Sequence, residues 1–287
     1  MENTGVILGE RRGDWRAGGP ETKIVYKEEL PSGDWTPYLP PGEWQRFENA
    51  LDVMACVTFS ALNVLETLYY FHTGKRKNFS DRFTATMSGT TMQGNYLFKV
   101  GDSIRNDGLV DEADWPKPEF LSGEDPWKTY YQAIQVAVID KGREFWAKEC
   151  LQPNNEFIDF SKESLIHHLK QAPIQVVFPS HAVMLFTTTE QVYRYFDTYD
   201  PFVKDRQDGF VSAMKYVLTK KTMFELWQAE GGDDVYLVRD GKKTLFRGPT
   251  TFSLIGDWSN IKKVPQAQLD SLPEHHPGHE LSLTIKE

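Results

Sequence analysis

The chain has 287 residues, 40% of them hydrophobic and 25% charged, with a net charge of -9 at pH 7. These values describe a folded chain of one or two domains, long enough to bury a real core. They argue against a nucleic-acid role, because the only run of three basic residues is Lys75-Arg76-Lys77, a solvated turn after a helix, and no apolar run of roughly 18 residues is present to span a membrane.

Residues 1–32 are rich in Gly, Arg and Glu and lack periodicity, so they read as an extended arm with room for one strand at Lys23–Lys27. Asp34-Trp35 opens a stiff loop through Pro37, Pro40, Pro41 and Gly42 that cannot enter a helix. A helix follows from Cys56 to about His72. Its apolar side carries Phe59, Leu62, Val64, Leu65, Leu68 and Phe71, and Gly74 stops it. Ser80 is placed to cap a short helix. Ser88 to Gly94 is a glycine-punctuated loop. The next helix runs from about Tyr96 to Asn106, with Gly108 just past its end.

A helical stretch is expected from Pro126 to Cys150, and a short amphipathic helix from Ser161 that Pro173 ends. The composition then turns to strand type at Ile174–Phe178, His181–Thr187 and Gln191–Asp197. Helices first and strands afterwards is the order of an α+β protein. Residues 231–273 read as a small separate unit. Its hairpin pairs Val235–Val238 with Thr244–Phe246 through Asp240-Gly241, and Trp258, Ile261, Val264 and Leu269 supply a minor core. Residues 274–287 are a polar tail, in which Pro277 and Gly278 keep the His275, His276 and His279 cluster from forming a helical metal site, so no metal or cofactor is expected.

Two cysteines, Cys56 and Cys150, do not make a disulfide framework. A lone apolar-site cysteine is usually a small buried hydrophobe, and Cys150, closing a polar helix, fits that reading. Cys56 differs because it begins a helix. A thiol there faces unpaired N–H groups and the positive end of the helix dipole, both of which favour the nucleophilic thiolate. His181 begins a strand downstream and Asp197 ends the next one. A nucleophilic thiol needs a base within hydrogen-bond reach, and that base needs a third group to fix its tautomer. Neighbouring antiparallel strands can supply both.

Six motifs in this order resemble the papain-like cysteine peptidases, over roughly residues 33–204. Ala55-Cys56-Val-Thr-Phe59-Ser resembles the nucleophile segment Ser-Cys-Trp-Ala-Phe. Asn78–Phe83 resembles the element after the nucleophile helix. Ser88-Gly89 to Gly94 is similar to the loop lining the substrate cleft, and Gly108-Leu-Val110 to Trp115-Pro116 to the segment beyond it. Ser180-His181-Ala-Val resembles the His-Ala-Val strand. Phe196-Asp197-Thr-Tyr199 resembles the Asn-Ser-Trp element, with Asp for Asn and Tyr for Trp.

The resemblance implies a papain-like two-lobed α+β fold. It also implies a thiol hydrolase acting on peptide or isopeptide bonds of a peptide or protein substrate through Cys56, His181 and Asp197, with Ser88, Gly89, Gly94 and Tyr199 touching substrate. The family's oxyanion glutamine lies six residues before the nucleophile, where this chain has Ala50. Asn49 is the nearest amide and Gln45 the next upstream.

The expected organisation is an arm at 1–32, a peptidase domain at 33–228, a small module at 231–273 and a tail. The module resembles modules of surface-associated bacterial and phage proteins, which implies a protein or cell-surface partner. The polar N-terminus lacks the apolar stretch of a signal peptide, so a cytoplasmic or virion-associated protein is expected. The competing reading is a non-catalytic papain-fold protein that serves as a structural or binding component, such as part of a phage particle.

Overall fold

The computed structural model describes residues 5–8, 29–47, 51–121, 124–149, 151–220, 225–232, 234–239, 242–245 and 261–273. The chain divides into two units, 1–220 and 221–287.

The first unit is α+β, a set of helices against a six-stranded sheet. Helix α1 (Cys56–Thr73) is buried at every residue from Cys56 to Tyr69, the polar Thr58, Ser60, Asn63, Glu66 and Thr67 included. It packs on strands β2 (Ile174–Phe178), β3 (His181–Thr188) and β6 (Ser212–Lys220), and on helices α2 (Asp81–Met87) and α3 (Leu97–Asn106). Gly74 ends α1 in the left-handed conformation at φ 67°, which glycine adopts without steric cost. Ser80 caps α2, its hydroxyl accepting from the Phe83 N–H at 3.1 Å. Ser161 caps α6 (Lys162–Leu169) in the same way through Ser164 at 3.4 Å.

Every pairing in the sheet is antiparallel, in the order β1-β6-β2-β3-β4-β5. The outer members are β1 (Leu151–Phe157), β4 (Tyr193–Phe196) and β5 (Val203–Arg206). All five residues of β2 are buried, because α1 and α6 both pack on the central strands and neither face is left to water. The turn between β2 and β3 is tight, with Phe178 opposite His181, and it sets His181 at the first position of its strand.

Two expectations are corrected here, and one strand is added. The stretch from Pro126 to Cys150 is not one helix but two, α4 (Pro126–Tyr130) and α5 (Val136–Lys148). The buried Arg82 guanidinium donates to the carbonyls of Tyr130 at 2.7 Å and Thr129 at 3.0 Å. It takes the acceptors that a continuing helix would use. Residues Leu151–Phe157, for which no element was expected, form an edge strand whose Pro153 is tolerated because only β6 pairs with it. Finally, β7 (Glu225–Ala229) belongs to the second unit, so that unit begins earlier than residue 231.

The second unit is a four-stranded sheet in the order β10-β7-β8-β9, with β8 (Val235–Arg239), β9 (Lys242–Leu245), β10 (Lys262–Val264) and helix α7 (Gln266–Asp270). Arg239 pairs with Lys242 across the hairpin; the Asp240-Gly241 turn itself lies outside the described residues. Trp227, Ala229, Val238, Val264 and Leu269 form its own small core. Trp258, the Lys23–Lys27 strand, Cys150 and the histidines at 275, 276 and 279 also lie outside the described residues.

Candidate active site

Cys56 is the first residue of α1 and is wholly buried. The turn that delivers it is unusual. Met54, two residues earlier, has φ 54° and is the only non-glycine with positive φ among the described residues. That conformation is unfavourable for a residue with a side chain, and here the Asp52 carboxylate holds it by accepting the Met54 N–H at 2.9 Å. The first turn of α1 is pinned from the sheet side as well. The buried Gln175 amide on β2 donates to the Val57 carbonyl at 2.7 Å and to the Ser60 hydroxyl at 2.8 Å, and that hydroxyl donates to the Cys56 carbonyl at 2.7 Å.

The three residues singled out for chemistry come together. His181 Nε2 lies 2.6 Å from Asp197 Oδ1, Cys56 interacts electrostatically with the same imidazole, and the Ala182 N–H donates to Cys56 Sγ at 3.4 Å. Both His181 and Asp197 are buried. Burial alone would push the imidazole down. The Asp197 hydrogen bond and then the hydrogen bond and charge of Cys56 outweigh it, and His181 is raised from 6.5 to about 9. These interactions favour the protonated ring. Burial also works against the Asp197 carboxylate, but the hydrogen bonds and charges of His181 and Lys204 hold it below the usual aspartate range. A protonated imidazole held between a sulfur and a carboxylate can steady a thiolate and then return a proton to a leaving group.

Two residues at this centre had gone unrecognised. Lys204 on β5 places Nζ 2.8 Å from Asp197 Oδ2. Asp52 bonds Gln45, Met54 and Tyr199 and faces Arg46. Asp52 was visible as the one acid in the apolar run from Ala50 to Ala55, whereas Lys204 sits in a charged strand with nothing local to mark it.

The remaining expected site residues divide. Tyr199 lies against the base, its ring centroid 5.4 Å from that of His181, with its hydroxyl bonded to Asp52. Gln45 is buried and joins the site through its amide bond to Asp52 at 2.6 Å and through Thr198 at 3.2 Å. Asn49 lies outside the described residues. Ser88 accepts from the Asn95 side chain at 2.9 Å, and Gly89 is at φ 74° in open space. Gly94 is instead covered by the arm. A Cβ there would sit 2.0 Å from the Gly5 backbone. The Asn95 N–H donates to the Gly5 carbonyl at 2.9 Å, and the Ile7 N–H to the Asn95 carbonyl at 2.8 Å.

No protein-family model matches the chain, and no curated protein sequence matches it. Solved structures similar to it include cysteine proteases. The proform of the ragweed pollen allergen Amb a 11 aligns at TM-score 0.47 and 13% identity, over 65% of this chain and 66% of that one. The digestive procathepsin L 3 of Tenebrio molitor larval midgut aligns at TM-score 0.49 and 12% identity, over 73% and 75%. The bromelain protease of Ananas comosus, in complex with the E64 inhibitor, aligns at TM-score 0.46 and 15% identity, over 65% and 98%. Among the described residues no helix is long and apolar enough to cross a membrane, and no cluster of His, Cys, Asp and Glu could hold a metal ion.

Proposed function

We propose that the protein is a papain-like thiol hydrolase that cleaves peptide or isopeptide bonds. One observation carries this reading: a cysteine at a helix start interacts with an imidazole whose Nε2 lies 2.6 Å from a buried carboxylate. In the reaction, Cys56 Sγ attacks the substrate carbonyl carbon and the C=O electrons move onto oxygen. The His181 proton passes to the leaving amine as the C–N bond breaks, giving a thioester. Water, deprotonated by the now neutral His181, then cleaves the thioester and frees Cys56. Asp197 keeps the ring aligned through both halves. The Cys56 backbone N–H at the helix start and the amide of Gln45 or Asn49 would face the oxyanion.

The test is hydrolysis of a fluorogenic peptide library. Cys56→Ala is expected to abolish turnover while leaving the melting temperature near that of the wild type, and Cys150→Ala to leave turnover unchanged. Turnover persisting in Cys56→Ala would remove this thiol from the chemistry. For the second unit, attachment to a protein or cell-surface partner is the reading that its resemblance supports.

A further inference from the structure

The peptide group between Val53 and Met54, just ahead of the nucleophile, is gripped at both ends. Its N–H donates to Asp52 Oδ1 at 2.9 Å, and its carbonyl accepts from the Tyr131 hydroxyl at 2.5 Å. Tyr131 closes α4, its own N–H bonded to the Trp127 carbonyl at 3.0 Å. Its ring centroid lies 4.5 Å from that of Trp127 and 4.8 Å from that of Tyr130, and the ring packs on the cluster that holds Val53, Ala55 and Phe59.

We propose that Tyr131 is a positioning residue whose hydroxyl, through the Val53 carbonyl, holds the strained turn that sets Cys56 against His181. The idea rests on the thiol hydrolase reading and deepens it.

Peptide groups stay planar, so a turn changes shape by flipping a whole peptide, which alters ψ of the residue before it and φ of the residue after it. Here the second angle is the 54° of Met54. A flip would carry it to the negative values that side chains favour, so strain drives the turn toward another shape. The grip resists this. A flipped peptide would aim its carbonyl at the Asp52 carboxylate, and the carbonyl of wholly buried Val53 would leave its donor behind. Burial raises the Tyr131 phenol above its ordinary 10 and keeps it a donor, and the charges of Asp52 and Cys56 act in the same direction. Beyond Met54 the chain is already helical, since the Ala55 carbonyl accepts from the Thr58 N–H at 2.8 Å and the Phe59 N–H at 3.0 Å. Gln175 fixes the Val57 carbonyl after the nucleophile and Tyr131 fixes the Val53 carbonyl before it, so Cys56 is held from both sides.

The experiment compares wild type, Tyr131→Phe, Met54→Gly and the double variant. The parameters kcat and KM are measured on a peptidyl-aminomethylcoumarin library. Cys56 alkylation by iodoacetamide is timed at pH 5.5 and pH 9.5, and thermal melting is followed in parallel. Tyr131→Phe removes one oxygen and keeps the ring. It is expected to lose about tenfold in kcat with KM within about threefold. Alkylation should fall about tenfold at pH 5.5 and stay near wild type at pH 9.5, where a thiol ionises without help. Glycine adopts positive φ without strain, so in the Met54→Gly variant the same Tyr131→Phe change should cost at most about threefold in kcat. Wild-type kcat in Tyr131→Phe would overturn the proposal. So would the same tenfold loss with and without Met54→Gly, or alkylation falling equally at both pH values together with a lower melting temperature, the mark of a merely structural role. If Tyr131→Phe does not fold, Met54→Ile carries the test, because a β-branched side chain opposes positive φ. The same pH-selective fall in alkylation is then expected, and wild-type alkylation would overturn it. Wild type turning over no faster than Cys56→Ala would sink the hydrolase reading and this proposal together, whereas an active wild type with an unaffected Tyr131→Phe variant would sink the proposal alone.

Discussion

At the scale of single residues, Lys204 explains how an aspartate can stand beside His181. A carboxylate draws a proton onto the imidazole more strongly than a neutral amide does, and an imidazole that never lets go is a poor acid. Lys204 Nζ on Oδ2 offsets that charge while Oδ1 keeps its bond to the ring at 2.6 Å. The Thr198 N–H, also on Oδ1 at 2.7 Å, holds the carboxylate in plane. NMR titration of the His181 ring is expected to give a midpoint near 9, lower in Asp197→Asn and higher in Lys204→Met. The sign for stability follows. The folded value lies above the unfolded 6.5, so the His181 half of the pair stabilises the fold fully below pH 6.5 and is lost as pH rises through about 9, while the lowered Asp197 half is lost in acid. Asp197→Asn should flatten that decline in stability. A midpoint near 6.5 in the wild type would contradict the arrangement. Cys56, His181 and Asp197 were legible because each stands at the end of a strongly patterned element. Lys204 was not, because only the β4–β5 pairing brings it next to Asp197.

At the scale of elements, the sequence is readable where capping and periodicity agree. The helices after Cys56, Ser80 and Ser161 and the strands from Ile174 and His181 begin where those signals place them. It is unreadable where tertiary partners override composition. The edge strand β1 is Leu-Gln-Pro-Asn-Asn-Glu-Phe, a poor strand sequence, yet Asn154 bonds Thr219 at 2.9 Å and Glu156 pairs with the buried Lys215 at 2.9 Å. Polar cross-strand pairs replace the apolar pattern. The α1–α2 junction makes a similar exchange. Glu66, buried in α1, accepts the Phe79 N–H at 2.7 Å. Burial raises Glu66, Asp81 and Glu112, with Glu112 reaching about 7. A carboxyl raised from 4.5 to about 7 stays protonated in the fold after the unfolded chain has ionised, so stability falls as pH rises through that window. Glu112→Gln keeps an acceptor for the Lys117 N–H and removes the titration. It is expected to stabilise the fold at pH 8 by on the order of 1 kcal/mol, once solvent screening of a partly exposed group is allowed for, and to change little at pH 4. Equal effects at both pH values in chemical denaturation would refute this.

At the scale of the whole molecule, the chain is two units with separate cores. The α1-centred core includes residues up to Leu218, and the second core is built from Trp227, Val238, Val264 and Leu269. The hairpin of the second unit was legible in the strand pattern from Val235. The start of the unit was not, because Glu225–Ala229 continues the strand-type composition of β6 and only pairing with β8 assigns it. A chain ending at Lys220 is therefore expected to remain soluble, melt cooperatively and keep Cys56 reactive, while aggregation would show that the units are one cooperative body. The central claim is that Cys56 and His181 act as one chemical unit, and alkylation reads it without any knowledge of the substrate. Iodoacetamide at pH 5.5 barely touches an ordinary thiol, whose pKa is about 8.5. The rate of Cys56 carbamidomethylation at that pH, followed by mass spectrometry in wild type and His181→Ala, is the most direct measurement. Ready modification in the wild type, falling on the order of 100-fold in the variant, is the predicted result. Equal, slow modification of both would contradict the account.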